Sequence, residues 1–177
     1  PAYPVTVYRT EGLFITARPT VVALSRYNVT YYGNDKTSSF EVPANATDLN
    51  NLTVATTNGA AQGQGIVTLG GPVTVNGITT INTNQSLYAT NVNTLTMNGN
   101  LVNNGFLSDN GVNSLFFGGT VAVSGNGIMA GFQVNNGANV TFSSPRGLFS
   151  NIIGGGVWGA GGGADNLVTP NGSILHQ

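Results

Sequence analysis

The sequence predicts an all-β protein, in which a small N-terminal β module precedes an Asn-Gly-turn-rich region built as a β-sandwich, a β-solenoid or a fibre shaft. Asn-Gly occurs eight times, about twice as often as random placement of 24 Asn and 26 Gly would give. Short runs of Val, Thr, Leu and Phe separate these pairs, which is the pattern of strands joined by tight turns. Charge also changes along the chain, because eight of the eleven charged side chains precede residue 49.

The composition predicts an ordered chain with an unusual surface. Leu, Ile, Val and Phe make up about 27% of the residues, above the level of about 20% below which disorder is expected. Charged residues make up only 6% and the net charge is -1, whereas soluble domains carry about 25% charged residues. Because surface charge keeps free proteins apart, we expect this chain to tolerate permanent contacts.

Residues 1–57 are the predicted N-terminal β module. Two series of aromatic and β-branched residues have the two-residue period of half-buried strands. These series are Tyr3, Val5, Val7 and Tyr27, Val29, Tyr31. Pro4 cannot donate a ladder hydrogen bond, so the first strand is expected at a sheet edge or paired outside its own sheet. A turn is predicted at 33–35, and further short strands at 40–42 and 52–55.

Residues 58–153 are the predicted uncharged β region. Asn-Gly accommodates positive φ at both central positions of a type I′ turn, which favours antiparallel hairpins or tight solenoid corners. The strands predicted between these turns are 72–75, 86–88, 94–97, 114–117, 120–124 and 140–142. The spacing of the Asn-Gly pairs is irregular, so a degenerate solenoid, an antiparallel sandwich and a subunit-interleaved shaft all stay open. In a solenoid or shaft, inward positions are apolar, and outward Asn and Thr form ladders.

Residues 154–177 are the predicted Gly-rich C-terminal segment. Seven of the ten residues from 154 to 163 are glycine, around the single Trp158. Such a run favours either a flexible tail or the close approach of two backbones. A final strand is predicted at 173–175.

The side-chain inventory predicts a protein that is not an enzyme and uses no cofactor. The chain has no Cys, and its single His, His176, lies where fraying is expected rather than an organised active site. No Ser-His-Asp or Cys-His arrangement can be assembled, and no two carboxylates lie in a glycosidase-like motif. The segment 108–111 has one carboxylate, Asp109, where calcium loops use several, so it predicts a plain turn and no metal site.

The charged residues do not predict a nucleic-acid partner. Five basic residues are scattered over the chain and form no patch that would neutralise a phosphate backbone. Those of the first module are expected to balance nearby carboxylates on a solvated surface, with Arg9 or Arg18 as candidates for docking an acidic partner. No apolar run approaches the 18 or so residues of a membrane span, so none is expected.

Two kinds of residue are candidates for contact with glycans or for carrying them. Exposed aromatic rings bind sugars, and Tyr32 and Trp158 are the rings expected to be exposed, with burial in a core or an interface as the alternative. Six Asn-x-Ser/Thr sequons are candidates for N-glycosylation. They lie at Asn28, Asn45, Asn51, Asn84, Asn139 and Asn171.

A terminal alternating strand next to a low-charge region predicts self-association. Tyr3, Val5 and Val7 form the candidate assembly strand, because an edge strand can complete the sheet of a neighbour. The main predicted partner is therefore the chain itself, as a homo-oligomer or polymer. Other virion or surface proteins, and surface glycans, are further candidate partners.

The composition of residues 58–153 resembles that of viral fibre shafts and of bacterial or archaeal surface adhesins, and no motif names a family. The resemblance implies a non-enzymatic structural protein on a virion or a cell surface. Removal of an initiator Met before Pro1 is routine, whereas Pro beside a signal-peptidase site is unfavourable, so a virion fibre or appendage subunit is the first expectation. A pilus-like cell-surface filament formed by strand exchange and a carbohydrate-binding adhesin module are the alternatives.

Overall fold

The computed structural model describes residues 5–10, 16–20, 25–43, 45–55, 65–90, 92–109 and 114–142, and the backbone of five short strands after residue 147. The described residues form twenty-one strands and no helix. In chain order the strands are β1 (Val5–Arg9), β2 (Tyr27–Tyr31), β3 (Lys36–Thr37), β4 (Leu49–Val54), β5 (Ile66–Thr68), β6 (Val73–Val75), β7 (Thr79–Ile81), β8 (Ser86–Tyr88), β9 (Leu95–Met97), β10 (Leu101–Asn103), β11 (Phe106–Ser108), β12 (Leu115–Phe117), β13 (Thr120–Ser124), β14 (Ile128–Ala130), β15 (Gln133–Val134), β16 (Asn139–Phe142), β17 (Leu148–Phe149), β18 (Ile153–Gly154), β19 (Val157–Ala160), β20 (Leu167–Val168) and β21 (Ile174–Leu175).

Three parallel sheets wind around one axis. Sheet 1 has the strand order β1-β2-β4-β7-β10-β13-β16-β19, sheet 2 the order β3-β5-β8-β11-β14-β17, and sheet 3 the order β6-β9-β12-β15-β18. The chain visits the three sheets in rotation, so each strand pairs with the strand one turn earlier and one turn later. The fold is therefore a β-solenoid of about five turns, which decides the predicted choice between a sandwich and a solenoid. A separate antiparallel pair, β20 and β21, follows it.

The predicted strands are mostly confirmed. Those predicted in residues 58–153 correspond to β6, β8, β9, β12, β13 and β16. The sequence pattern does not predict β5, β7, β10, β11, β14 or β15, which are only two or three residues long. Sheet 1 continues across residue 57, where β4 pairs with β7, and it ends in β19 within the Gly-rich segment.

The described Asn-Gly pairs lie at two of the three corners of the solenoid. Those at 76–77, 98–99 and 136–137 join sheet 3 to sheet 1, and those at 104–105 and 126–127 join sheet 1 to sheet 2. A type I′ turn would need positive φ at both residues. Among the described residues, Asn84 is the only non-glycine residue with a positive φ, 63°. These corners are therefore not type I′ turns, and that part of the prediction is wrong.

Glycine is needed at these corners because successive turns stack closely. A Cβ built on Gly99 would overlap the carbonyl oxygen of Gly77 in the preceding turn, and one on Gly127 would overlap that of Gly105. Neither Gly99 nor Gly127 has a positive φ. The requirement is therefore steric, since only a residue without a Cβ lets the two backbones approach.

Asparagine side chains connect one turn to the next. Nδ2 of Asn98 donates to Oδ1 of Asn76 at 3.0 Å, and Nδ2 of Asn50 donates to Oδ1 of Asn28 at 3.2 Å. In both pairs the partners are 22 residues apart. The pair of Asn76 and Asn98 lies at a corner, whereas Asn28 and Asn50 lie on β2 and β4 of sheet 1. In both places an amide donor of one turn is satisfied by an amide acceptor of the preceding turn.

The core lies between the three sheets and continues from turn to turn. One inward column of sheet 1, in register, consists of Val29, Leu52, Thr79, Leu101 and Val123, all of them buried. Later turns bring three aromatic rings together. The ring centroid of Phe132 lies 5.0 Å from that of Phe117 and 5.7 Å from that of Phe142. Contacts of this kind add to the burial of apolar area.

The turn that begins with β2 and β3, called the first turn below, has no strand in sheet 3 among its described residues. After β2 and β3, residues 38–43 form a turn instead, so the strand predicted at 40–42 is wrong. Phe40 points outward and is 44% exposed, while the carboxylate of Glu41 is fully buried. The need to bury and pair Glu41 overrides the short β-like pattern. The turn at 38–43 contacts the segment that precedes β6, because the N–H of Gly70 donates to Oγ of Ser38.

Candidate functional site

The first end of the solenoid holds a buried cluster around Glu41. Nη1 of Arg9, on β1, forms an ion pair with Oε1 of Glu41, and both side chains are nearly inaccessible to solvent. The same oxygen accepts hydrogen bonds from the hydroxyl of Tyr31 at 2.8 Å and from the N–H of Ser39 at 3.0 Å. Breaking a buried pair by removing one partner costs about 3–5 kcal/mol. The cluster therefore fastens β1 to the turn at 38–43.

Further hydrogen bonds connect this cluster to β2 and β3. Nη1 of Arg9 also donates to the carbonyl of Thr37, on β3, at 2.6 Å. The hydroxyl of Tyr27, on β2, donates to the carbonyl of Glu41 at 2.9 Å. The prediction that Arg9 lies on a solvated surface or docks an acidic partner is wrong, because its guanidinium is used inside the protein.

Both tyrosines of the cluster hold their protons firmly. Burial, assisted by the charge of Asp48, raises the pKa of Tyr27 to about 12. Burial and the neighbouring Glu41 raise the pKa of Tyr31 well above its usual value of 10.0. Each hydroxyl is therefore a hydrogen-bond donor at any physiological pH.

The predicted assembly strand lies at the first edge of sheet 1. Val5 and Val7 belong to β1, which is parallel to β2, whereas Tyr3 lies outside the described residues. Val7 packs against the core, but Val5 is 70% exposed. Among the described strands, β1 pairs only with β2, so its other edge has no strand beside it.

The two aromatic residues predicted to contact glycans are placed differently from each other. Tyr32 is half-buried, and its ring stacks on that of Tyr8, with centroids 5.9 Å apart and an interplanar angle of 26°. Tyr8 is 63% exposed, so the outer ring of this pair is one that the sequence pattern does not single out. Trp158 lies in β19, in register with Val140, and its side chain is outside the described part.

Four of the six sequon asparagines fall into two groups by their surroundings. Asn45 and Asn139 are exposed. Asn28 and Asn51 are half-buried, and Oδ1 of each accepts a backbone hydrogen bond from the next turn, Asn28 from the N–H of Asn51 and Asn51 from that of Ile78. Asn45 and Asn139 are therefore better placed for modification than Asn28 and Asn51.

The two remaining sequon asparagines differ again. Asn84 is half-buried in a corner and has a positive φ of 63°. Asn171 lies outside the described residues.

Two open clefts lie near the first end of the solenoid. One, of about 440 Å³, lies between residues 38–43 and 70–72, and Arg18 lines it. The other, of about 330 Å³, lies on the outer face of sheet 2 beside Tyr88. Volumes of this size are in the range of small-molecule sites.

Neither a metal centre nor a membrane helix is found in the part of the chain that the structure describes. Within it, no three His, Cys, Asp or Glu side chains are grouped so that they would hold an ion. Asp109, the carboxylate of the calcium-like segment, is buried. None of the described residues belongs to a helix long and apolar enough to cross a bilayer.

The sequence pattern missed the most strongly connected residue at this end, Glu41. Its signal is a lone acidic residue between Phe40 and Val42, in a run that otherwise reads as a strand. A charge in such a run either faces solvent or is buried with a partner. Arg9, the partner, is 32 residues away in the sequence, and nothing local connects the two.

The fold and this end of the molecule define a class: a parallel β-solenoid with a low-charge surface and a buried polar cluster in its first turn. Comparison of the chain with family models, with curated proteins and with solved structures finds no match.

Proposed function

We propose that this chain is a non-enzymatic, self-assembling structural subunit of an extracellular or virion assembly, in the first place of a fibre or appendage. The observation that carries the proposal is the outer edge of β1, which begins an eight-stranded parallel sheet and has no partner among the described strands. An edge of this kind is a template for pairing with another chain.

The outer edge of β1 offers backbone donors and acceptors at alternate residues. The carbonyl of Arg9 accepts the N–H of Tyr32 at 2.8 Å, so the backbone groups of Arg9 point toward β2. Backbone groups of a strand alternate between its two sides. Those of Thr6 and Tyr8 therefore point away from β2, where a neighbouring strand would pair with them.

The surface supports permanent contacts. After Asp48 the chain has only three charged side chains, Asp109, Arg146 and Asp165. Natural sheet edges are usually protected from pairing by charged residues, especially lysine. The one lysine of this chain, Lys36, lies on β3 in sheet 2 and not on β1. The one charged residue of β1, Arg9, is buried against Glu41, so β1 has no exposed charged side chain that would oppose pairing.

A filament is the second candidate, favoured by the two ends of sheet 1. Its strands are all parallel, and the edge opposite β1 is formed by β19. A second copy stacked end to end would place its β19 beside β1 and continue the sheet. Such a contact joins two different surfaces, so it does not close and generates an open filament.

The test compares two lysine substitutions at equally exposed valines. Val5 is 70% exposed on β1, and Val92 is 74% exposed at a corner far from it in the sequence. We expect the unmodified chain and Val92→Lys to assemble at high concentration, and Val5→Lys to remain monomeric, because a charge on an edge strand opposes pairing. Light scattering gives the mass, and electron microscopy shows whether the product is an open filament or a discrete fibre.

Deletion of residues 1–8 is the stronger form of the same experiment. It removes most of β1 but retains Arg9 and its ion pair, so the rest of the solenoid is expected to fold, as circular dichroism would show. Loss of assembly in a folded chain supports the proposal. The proposal is contradicted if the unmodified chain is monomeric, or if Val5→Lys or the deletion variant assembles as well as the unmodified chain does.

A further inference from the structure

The cleft beside Arg18 is a preformed depression at the first end of the solenoid. It lies between the turn at 38–43 and the segment 70–72, and its volume is about 440 Å³. The N–H of Gly70 donates to Oγ of Ser38 at 2.9 Å. A Cβ on Gly70 would overlap the carbonyl oxygen of Ser38, so the two walls are in close contact at the base. The shape of the cleft is therefore fixed by the fold.

Arg18 brings a cation to this cleft. Its Nη1 donates to the carbonyl of Val42 at 2.8 Å, and its guanidinium carbon lies 5.8 Å from the ring centroid of Phe40. The ion pair of Arg9 and Glu41 is the only one formed by the described residues, so Arg18 has no carboxylate partner among them. A guanidinium has five N–H donors in a planar fork, and one bond to Val42 leaves donors for a planar anion.

The other walls of the cleft are apolar rings and hydroxyls. Phe40 is 44% exposed, and Pro43 and Pro72 add apolar surface. The exposed Ser39 adds a hydroxyl. A sugar ring has the matching chemistry, since its C–H faces pack on apolar rings while its edge carries hydroxyls.

We propose that this cleft binds a carboxylated sugar, with the carboxylate on Arg18 and the ring against Phe40 and the prolines. An extended peptide would instead bind by adding a strand to a sheet edge. None of the residues that line this cleft belongs to a strand, because its walls are Arg18, the turn at 38–43 and the segment 70–72. The site is distinct from the outer edge of β1.

The test uses methyl glucuronide as the probe and methyl glucoside as its neutral counterpart. Ligand-observed saturation-transfer NMR suits it, because the signal is obtained from monomers and large assemblies alike. We expect methyl glucuronide to bind at least about tenfold more tightly than methyl glucoside, as one charge-assisted hydrogen bond implies. Arg18→Gln is expected to remove this preference, and Arg26→Gln, which removes an exposed arginine elsewhere, to leave it unchanged.

A second variant tests the cleft rather than the charge. A Cβ on Gly71 meets no atom within 4 Å and its φ is not positive, so Gly71→Leu fills the cleft without straining the backbone. It is expected to weaken methyl glucuronide binding with an unchanged melting temperature. The proposal would be overturned if methyl glucuronide did not bind, or if Arg18→Gln or Gly71→Leu bound it as tightly as the unmodified chain does. Binding of N-acetylalanine as tight as that of methyl glucuronide would also overturn it. Assembly is measured separately, so either proposal can fail alone.

Discussion

Thr79 is the one fully buried residue of the inward column of sheet 1 that carries a hydroxyl without a partner. Its Oγ1 has no hydrogen bond, and its neighbours in register are Leu52 and Leu101. A buried hydroxyl without a partner costs about 1–3 kcal/mol. Threonine and valine have nearly the same shape, so the hydroxyl can be replaced without leaving a cavity.

We therefore expect Thr79→Val to raise the free energy of unfolding by about 1 kcal/mol, measured by chemical denaturation. The control is Thr80→Val, the next residue on the same strand, which is half-buried on the outer face. It should change stability by less than about 0.5 kcal/mol. A destabilised Thr79→Val variant would mean that the hydroxyl has a partner in solution.

Tyr27 and Tyr31 make the stability of the first turn sensitive to high pH. Burial raises the pKa of Tyr27 to about 12 and that of Tyr31 well above 10.0, the usual value for tyrosine. Below pH 10 both the folded and the unfolded chain hold these protons, so their contribution is fully present. As the pH rises from 10 toward 12, the unfolded chain loses them first, and the free energy of unfolding falls.

Tyr27→Phe should flatten this loss between pH 10 and 12. At pH 7 the same variant should be less stable by about 1 kcal/mol, because the hydrogen bond to the carbonyl of Glu41 is lost. Urea titrations at intervals from pH 7 to 11.5 measure both effects. Parallel pH curves for the unmodified chain and Tyr27→Phe would show that this phenol does not cause the loss.

At the scale of elements, the stacked corners explain why glycine follows asparagine so often. Gly99→Ala would drive a Cβ into the carbonyl oxygen of Gly77, whereas Gly71→Ala would meet open space. We expect Gly99→Ala to cost about 1–3 kcal/mol. Gly71→Ala should be neutral or stabilising by up to about 1 kcal/mol, since alanine restricts the unfolded chain. Melting curves of the two variants measure this difference. Equal melting temperatures would contradict the argument that the close approach of two turns requires glycine at residue 99.

The sequence predicts that the elements are strands, but it predicts less well how those strands pair. Alternation places Tyr27, Val29 and Tyr31 in the core, as the structure confirms. It cannot tell a parallel neighbour from an antiparallel one, because the two-residue period is the same in both. The short strands are set by pairing with neighbouring turns rather than by local pattern, so β7 and β10 give no clear signal.

A 22-residue repeat is nevertheless present in part of the sequence, where Asn-Gly pairs from two different corners follow each other along the chain. Asn76 and Asn98 occupy one corner, and Asn104 and Asn126 occupy the next, and each pair is 22 residues apart. The other four Asn-Gly pairs belong to neither 22-residue series, and the turn length changes from 27 residues between Leu52 and Thr79 to 19 between Val123 and Phe142. The spacing over the whole chain is therefore irregular. Glu41 has no comparable signal, since its partner Arg9 belongs to another turn.

At the scale of the whole molecule, stability and the proposed assembly use the same kind of contact between neighbouring turns. Each turn contacts the turns before and after it, so stability is approximately a sum over neighbouring turns. The outer edge of β1 is then the first surface at which a further turn would add. The ion pair of Arg9 and Glu41 holds β1 in place. Because β1 is already ordered, pairing along its outer edge would lose little conformational entropy.

The scarcity of charge gives assembly an expected dependence on salt. Ordinary surface ion pairs weaken as the Debye length falls from about 10 Å at 0.1 M salt to about 3 Å at 1 M. The proposed contact along the outer edge of β1 would use backbone hydrogen bonds and apolar contacts, so NaCl should change the concentration for half-assembly by less than about threefold over this range. Sodium sulfate should favour assembly, since it strengthens the burial of apolar surface. Static light scattering measures both. If NaCl dissolves the assemblies instead, the contact lies among the charged residues of the first 48 rather than along the edge of β1.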